Sequence, residues 1–157
     1  MKRGVMSDRD DNKALVRRYF DEFFNRQDTT RAAEVCATEY TEHALAPFGD
    51  TEPGRVNGPE HLENTVRWLT AQFPDVRMDV EALVAEDDTV VARVHSYGTN
   101  LGPLNGVMPP SGRCFAARQT HWFRVAGGKL AEHWATREDL PVMLQLGVIT
   151  PPGRTAA

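Results

Sequence analysis

The hydrophobic pattern of this chain changes period at Pro74, and that change restricts its architecture more than any other feature. Before it, Leu15, Val16, Tyr19, Phe20, Phe23 and Phe24 recur as adjacent pairs every four residues, which predicts one long helix over 12–26 with a wide apolar stripe. Thr29 or Thr30 can cap a short second helix running through Val35 and Cys36, and a polar segment bearing proline and glycine follows over 42–58. Gly58-Pro59-Glu60 places proline in the first turn of a third helix, whose buried face is Leu62, Thr65, Val66, Leu69 and Phe73. Beyond Pro74 the period is two. Val76, Met78 and Val80 alternate with Arg77, Asp79 and Glu81, and three further runs, 89–99, 113–125 and 129–136, are separated by turn signals.

Four antiparallel strands after three helices specify an α+β layer packing rather than a βαβ fold. A curved sheet wrapped over the N-terminal helices makes a single cone-shaped domain, expected over 12–147, with an internal pocket at its open end and flexible termini at 1–11 and 148–157. The loop 100–112, with its glycines and the pair Pro109-Pro110, excludes a regular element, and 140–146 predicts a short terminal helix or turn.

With 157 residues, 41% of them apolar, the chain has enough material for one hydrophobic core. Acidic side chains outnumber basic ones 22 to 18, so a nucleic-acid partner is not expected. No apolar run approaches a membrane span and 1–11 has no signal-peptide core, so no membrane partner and a cytoplasmic location are expected. Cys36 and Cys114 form no metal or redox motif.

Several linked segments carry a family resemblance: Phe73-Pro74-Asp75, Leu83-Val84-Ala85-Glu86, Tyr97-Gly98-Thr99, Gly106 to Arg113, Phe123-Arg124-Val125 through Trp134, and Leu144-Gln145-Leu146-Gly147. Together they resemble the SnoaL-like polyketide cyclases (ester cyclases) of the nuclear-transport-factor-2-like cone fold. The resemblance implies a cofactor-independent enzyme, without metal, that closes a ring on a hydrophobic polyketide-like small molecule by acid/base chemistry in an apolar pocket, and it implies a homodimer. In such relatives an aspartate two residues after the histidine that follows Gly-Lys removes the proton; that position is Ala135 here, and an alanine cannot act as a base.

The pair Gln119 and His121 resembles the family's Gln-x-His donor site, and strand alternation puts both on one face with Phe123. For the missing acid or base the candidates are His121 first, then Glu42 or His43, then Glu138. Phe20, Trp68, Phe123, His133 and Ala135 are the candidate substrate contacts. Rival readings are an epoxide-opening cyclase, hydrolase or hydroxylase on the same fold, and a non-catalytic small-molecule-binding module. Arg93, His95 and Tyr97 share a strand face that can look into the pocket or towards an oligomer interface.

Overall fold

A computed structural model describes residues 8–45, 55–56 and 58–153. The first helix, α1 (Asp8–Arg18), starts four residues earlier than the apolar stripe suggests and continues as a π-helical stretch, Tyr19–Asn25. The π segment was not expected. Its wider turns, closed by i→i+5 hydrogen bonds, carry Tyr19, Phe20, Phe23 and Phe24, all of them buried. At its end the Asn25 side chain accepts from the Met78 backbone N–H at 2.7 Å and donates to the Met78 carbonyl at 2.9 Å, pinning the helix to the sheet edge.

After α2 (Ala32–Val35) the chain enters β1 (Cys36–Glu42), a strand the sequence reading missed, and then the two-residue β2 (Arg55–Val56). The helix α3 (Gly58–Gln72) opens on Gly58, whose φ is +61° and whose absent Cβ would lie 2.8 Å from the Thr38 carbonyl oxygen. Phe73-Pro74-Asp75 ends it. Asp75 then accepts from both the backbone N–H and the hydroxyl of Thr99, at 2.7 Å each, locking this corner to the sheet.

The remaining strands are β3 (Arg77–Glu86), β4 (Thr89–Thr99), β5 (Cys114–Ala126) and β6 (Lys129–Arg137), followed by α4 (Asp139–Leu146). Among the described residues six strands form one sheet, in the order β2-β1-β6-β5-β4-β3. The expected all-antiparallel sheet is corrected at one seam, because β1 runs parallel to β6. A parallel neighbour requires a long crossover. Here residues 43–128, more than half of the chain, separate the two strands, so no local pattern announces their pairing. Register shifts between Val80 and Ala82 and between Arg124 and Val125 bend the strands.

The inner sheet face, including Val90, Ala92, Val94, Phe115 and Phe123, packs with the aromatic stripe of the first helix into one core. The loop after β4 is held by Asn100, whose buried side chain donates to the Gly102 carbonyl and accepts from the Ser111 N–H, both at 2.8 Å. Among the described residues no helix is long and apolar enough to cross a membrane.

Candidate active site

Between the sheet and α3 lies a cavity of about 380 Å³. Its walls are largely apolar: Tyr19 and Phe24 from the π segment, Trp68 and Leu69 from α3, Phe115 from β5, and Met143 from α4. Into one side of it the strands bring Glu42, Gln119, His121, His133 and Arg137, and α3 contributes His61.

The sheet-borne polar groups form one hydrogen-bonded chain. His133 Nδ1 donates to both Glu42 oxygens at 2.8 and 2.9 Å, His133 Nε2 lies 2.8 Å from His121 Nδ1, and His121 Nε2 lies 2.8 Å from Gln119 Oε1. Gln119 Nε2 donates to the Ser96 hydroxyl at 3.0 Å, which donates to the Ala117 carbonyl at 3.2 Å. The far end fixes the direction of the whole chain. The Ser96 proton goes to a carbonyl, so its oxygen accepts from the Gln119 amide nitrogen; the amide oxygen must then accept from His121 Nε2–H. His121 Nδ1 is left as an acceptor, so His133 donates from both nitrogens, its positive charge set against the Glu42 carboxylate.

The electrostatics agree with that direction. Burial pushes the His121 imidazole well below its ordinary 6.5, and the neighbouring His133 charge and then Arg137 push it the same way, so His121 is neutral at pH 7. For Glu42, burial alone would raise the carboxyl, but hydrogen bonds from His133 and His61, the His133 charge and the Ala44 N–H win and hold it well below the usual carboxylate range. Tyr40 completes the shell, its hydroxyl donating to Glu42 at 3.1 Å.

Gln119, His121, Glu42, Trp68 and His133 therefore meet at one cavity. The other named positions do not join them. His43 follows the last residue of β1 and faces the opposite way from Glu42, stacked on Trp134 with ring centroids 4.5 Å apart and 2.8 Å from a Glu132 oxygen. Glu138 is exposed at the start of α4, where its carboxylate accepts the Arg118 backbone N–H at 2.8 Å. Phe20 and Phe123 sit in the core behind the imidazoles: Phe123 stacks on His133 at 4.7 Å, and Phe20 meets His121 edge-on at 5.1 Å. Ala135 is the cross-strand partner of His121, but its methyl group is too short to reach the cavity lining. Arg93 pairs with Glu81, and His95 bonds the Tyr97 hydroxyl at 2.7 Å, both away from the cavity.

Sequence reasoning gave His61, Arg137 and Ser96 no role. His61 stood seven residues before Trp68 on the same helix side, a spacing that equally fits core packing. Arg137 is the cross-strand partner of Gln119, a relation visible once the hairpin register is known. Its guanidinium bonds the Leu45 carbonyl and Asp139. Among the described residues no group of three or more His, Cys, Asp or Glu is arranged to hold a metal ion.

An α+β fold whose sheet and helices enclose a mostly apolar cavity with one acid/base side defines a small-molecule-binding protein of the cone-fold class. The family model of the SnoaL-like polyketide cyclases matches residues 14–146, and the chain belongs to that family. No curated protein matches it in sequence. Among solved structures it is similar to IdmH from Streptomyces antibioticus (28% identity, covering 87% of this chain and 98% of that one, TM-score 0.75). It is also similar to TsrD from Streptomyces laurentii (26%, covering 92% and 100%, TM-score 0.75). A SnoaL-like protein from Jannaschia sp. CCS1 shares the fold at 24% identity, covering 95% and 100%, with a TM-score of 0.78.

Proposed function

We propose that this protein closes a ring on a hydrophobic polyketide-like small molecule by acid/base catalysis, without a cofactor. The observation that carries the reading is the directed chain Glu42–His133–His121–Gln119 ending at an apolar cavity. A substrate carbonyl oxygen that takes the place of Gln119 Oε1 meets the His121 Nε2–H. As an enolate develops there, His121 gives up that proton and recovers one on Nδ1 from His133, while Glu42 stays ionised; when the ring-forming bond is made and the carbonyl re-forms, the proton returns by the same path and restores His133. A neutral donor backed by a charged one suits developing negative charge in a water-poor site.

The test uses an aryl β-keto ester carrying a pendant ketone as the ring-closing probe, run in heavy water. Wild type is expected to form cyclic product, with solvent deuterium appearing in recovered probe alpha to the carbonyl. His121→Ala is expected to lose about 100-fold or more of the ring-forming rate, the scale of one oxyanion donor, while keeping the fold. Full residual activity in that variant would defeat the reading.

Ala135 favours a second reading, because opening an epoxide needs an acid at oxygen and no carbon base. The same His121–His133 relay would protonate the epoxide oxygen while water or a substrate hydroxyl attacks carbon. Turnover of an epoxide probe without deuterium incorporation would select it.

We further propose a homodimer through the outer sheet face. Val84, Val91, Trp122 and Trp134 lie opposite one another in successive strands, an apolar row with Val84 66%, Trp122 48% and Trp134 39% exposed. Sedimentation at micromolar concentration should give twice the chain mass, and Trp122→Glu should halve it. A monomeric wild type would contradict the proposal.

A further inference from the structure

A ring-closing enzyme needs a proton acceptor as well as a donor, and the position implied for it by family resemblance is Ala135. The cavity holds three imidazoles, His61, His121 and His133. Two of them have no nitrogen to spare: His121 is engaged by His133 and Gln119, and His133 by Glu42 and His121. Glu42 itself is a poor acceptor, since its oxygens already receive His133, Tyr40 and the Ala44 N–H.

His61 differs. The Thr65 hydroxyl spends its proton on the His61 carbonyl at 2.8 Å, so towards His61 Nε2, 3.4 Å away, that oxygen can only accept. Glu42 Oε2 lies 3.7 Å from the same nitrogen. Both neighbours demand a proton on Nε2, which leaves the lone pair of the neutral ring on Nδ1. Among the described residues Nδ1 has no hydrogen-bond partner. The ring is held against Tyr40, with centroids 6.4 Å apart at 27°, and its side chain is 21% exposed, towards the cavity it lines.

We infer that His61, on the helix wall, is the general base, and that Glu42 serves both walls at once: it charges the donor relay through His133 and stabilises the imidazolium that forms on His61. The inference rests on the cyclase reading. In the step, His61 Nδ1 takes the proton alpha to the substrate carbonyl, and the C–H electron pair moves into the enolate. The enolate carbon bonds to the second carbonyl carbon, whose oxygen takes the proton back from His61. No oxidant, reductant or co-reactant is needed, and the base is regenerated. A carboxylate beside a histidine makes the ring a stronger acceptor and fixes its tautomer.

The test does not need the natural substrate. 5-Nitrobenzisoxazole reports a base in an apolar cavity: loss of its ring C–H proton breaks the N–O bond and releases a coloured cyanophenolate. The full chain should turn it over faster than buffer. His61→Ala should lose at least about tenfold of that rate, and added imidazole should restore it by entering the space left behind, which a merely structural role would not show. His61→Asn serves as the second variant if the alanine form is less stable, with unchanged circular dichroism as the folding check. His95→Asn, at an imidazole away from the cavity, should keep the probe rate. A wild-type rate no faster than buffer, or an undiminished rate in both His61 variants, overturns the assignment. A rate undiminished in both His61 variants but lost in His121→Ala would put the base on the sheet and leave the cyclase reading standing. Failure of the ring-closing probe in wild type, with the 5-nitrobenzisoxazole rate still dependent on His61, would defeat the cyclase reading alone.

Discussion

Glu42→Ala is expected to destabilise the protein by about 3 kcal/mol, the usual scale for removing one partner of a buried charged pair. For a chain of this size that corresponds to a thermal midpoint lower by roughly 10 °C. The cost arises because the carboxylate accepts from His133 Nδ1, the Tyr40 hydroxyl and the Ala44 N–H, and all three donors would be left in a site from which water is largely excluded. Glu42→Gln should cost less, since the amide oxygen still accepts one bond. The acid limb separates the two effects. The Glu42 carboxyl is held below its ordinary value of 4.5 in the folded protein, so its stabilisation is fully present above about that pH and is lost as pH falls towards the folded value. Stability measured by urea unfolding should therefore fall less steeply below pH 4.5 in Glu42→Gln than in wild type. Equal slopes, or an alanine variant as stable as wild type, would show that the carboxylate carries no charged partner.

Phe123→Ala should cost about 4 kcal/mol, the usual scale for truncating a fully buried aromatic residue. Phe123 packs against Tyr19 at 5.0 Å and Phe20 at 6.0 Å, and stacks on His133 at 4.7 Å. Truncation would open a void directly behind the two sheet imidazoles. The expected readout is a large fall in the urea midpoint, with Phe123→Leu losing much less. Because the ring lies outside the cavity lining, Phe123→Leu should retain binding of an apolar ligand, which a substrate-contacting residue would not. A loss below about 1 kcal/mol in the alanine variant would mean the site collapses to fill the space.

The period change at Pro74, together with linked motifs from Phe73 to Gly147, was enough to specify helices packed on a sheet and the family. Local alternation also placed Gln119 and His121 on the inner face, since neighbouring strand positions have no other choice. The strand Cys36–Glu42 was not legible for a physical reason. Its inward positions include Glu42, and a buried acid looks like a solvated loop residue until its partners are known. The same blind spot gave His43 equal standing with Glu42, although one faces His133 and the other Trp134. The substrate-contact reading of Phe20 rested on the apolar stripe, which cannot distinguish a ring lining a cavity from one packed behind it.

What the chain determined alone was periodic and local: which segments are helical, which are extended, where they turn, and which side chains share a face. What tertiary structure decided was which of those faces meet. His133 and Glu42 are 91 positions apart and come into contact only because β1 lies parallel against β6, a pairing with no local signature. His61 gains its relation to the same carboxylate only when α3 packs over that seam. Acid/base chemistry depends on hydrogen-bond direction among such distant groups, and direction is a property of the assembled network rather than of any residue in it.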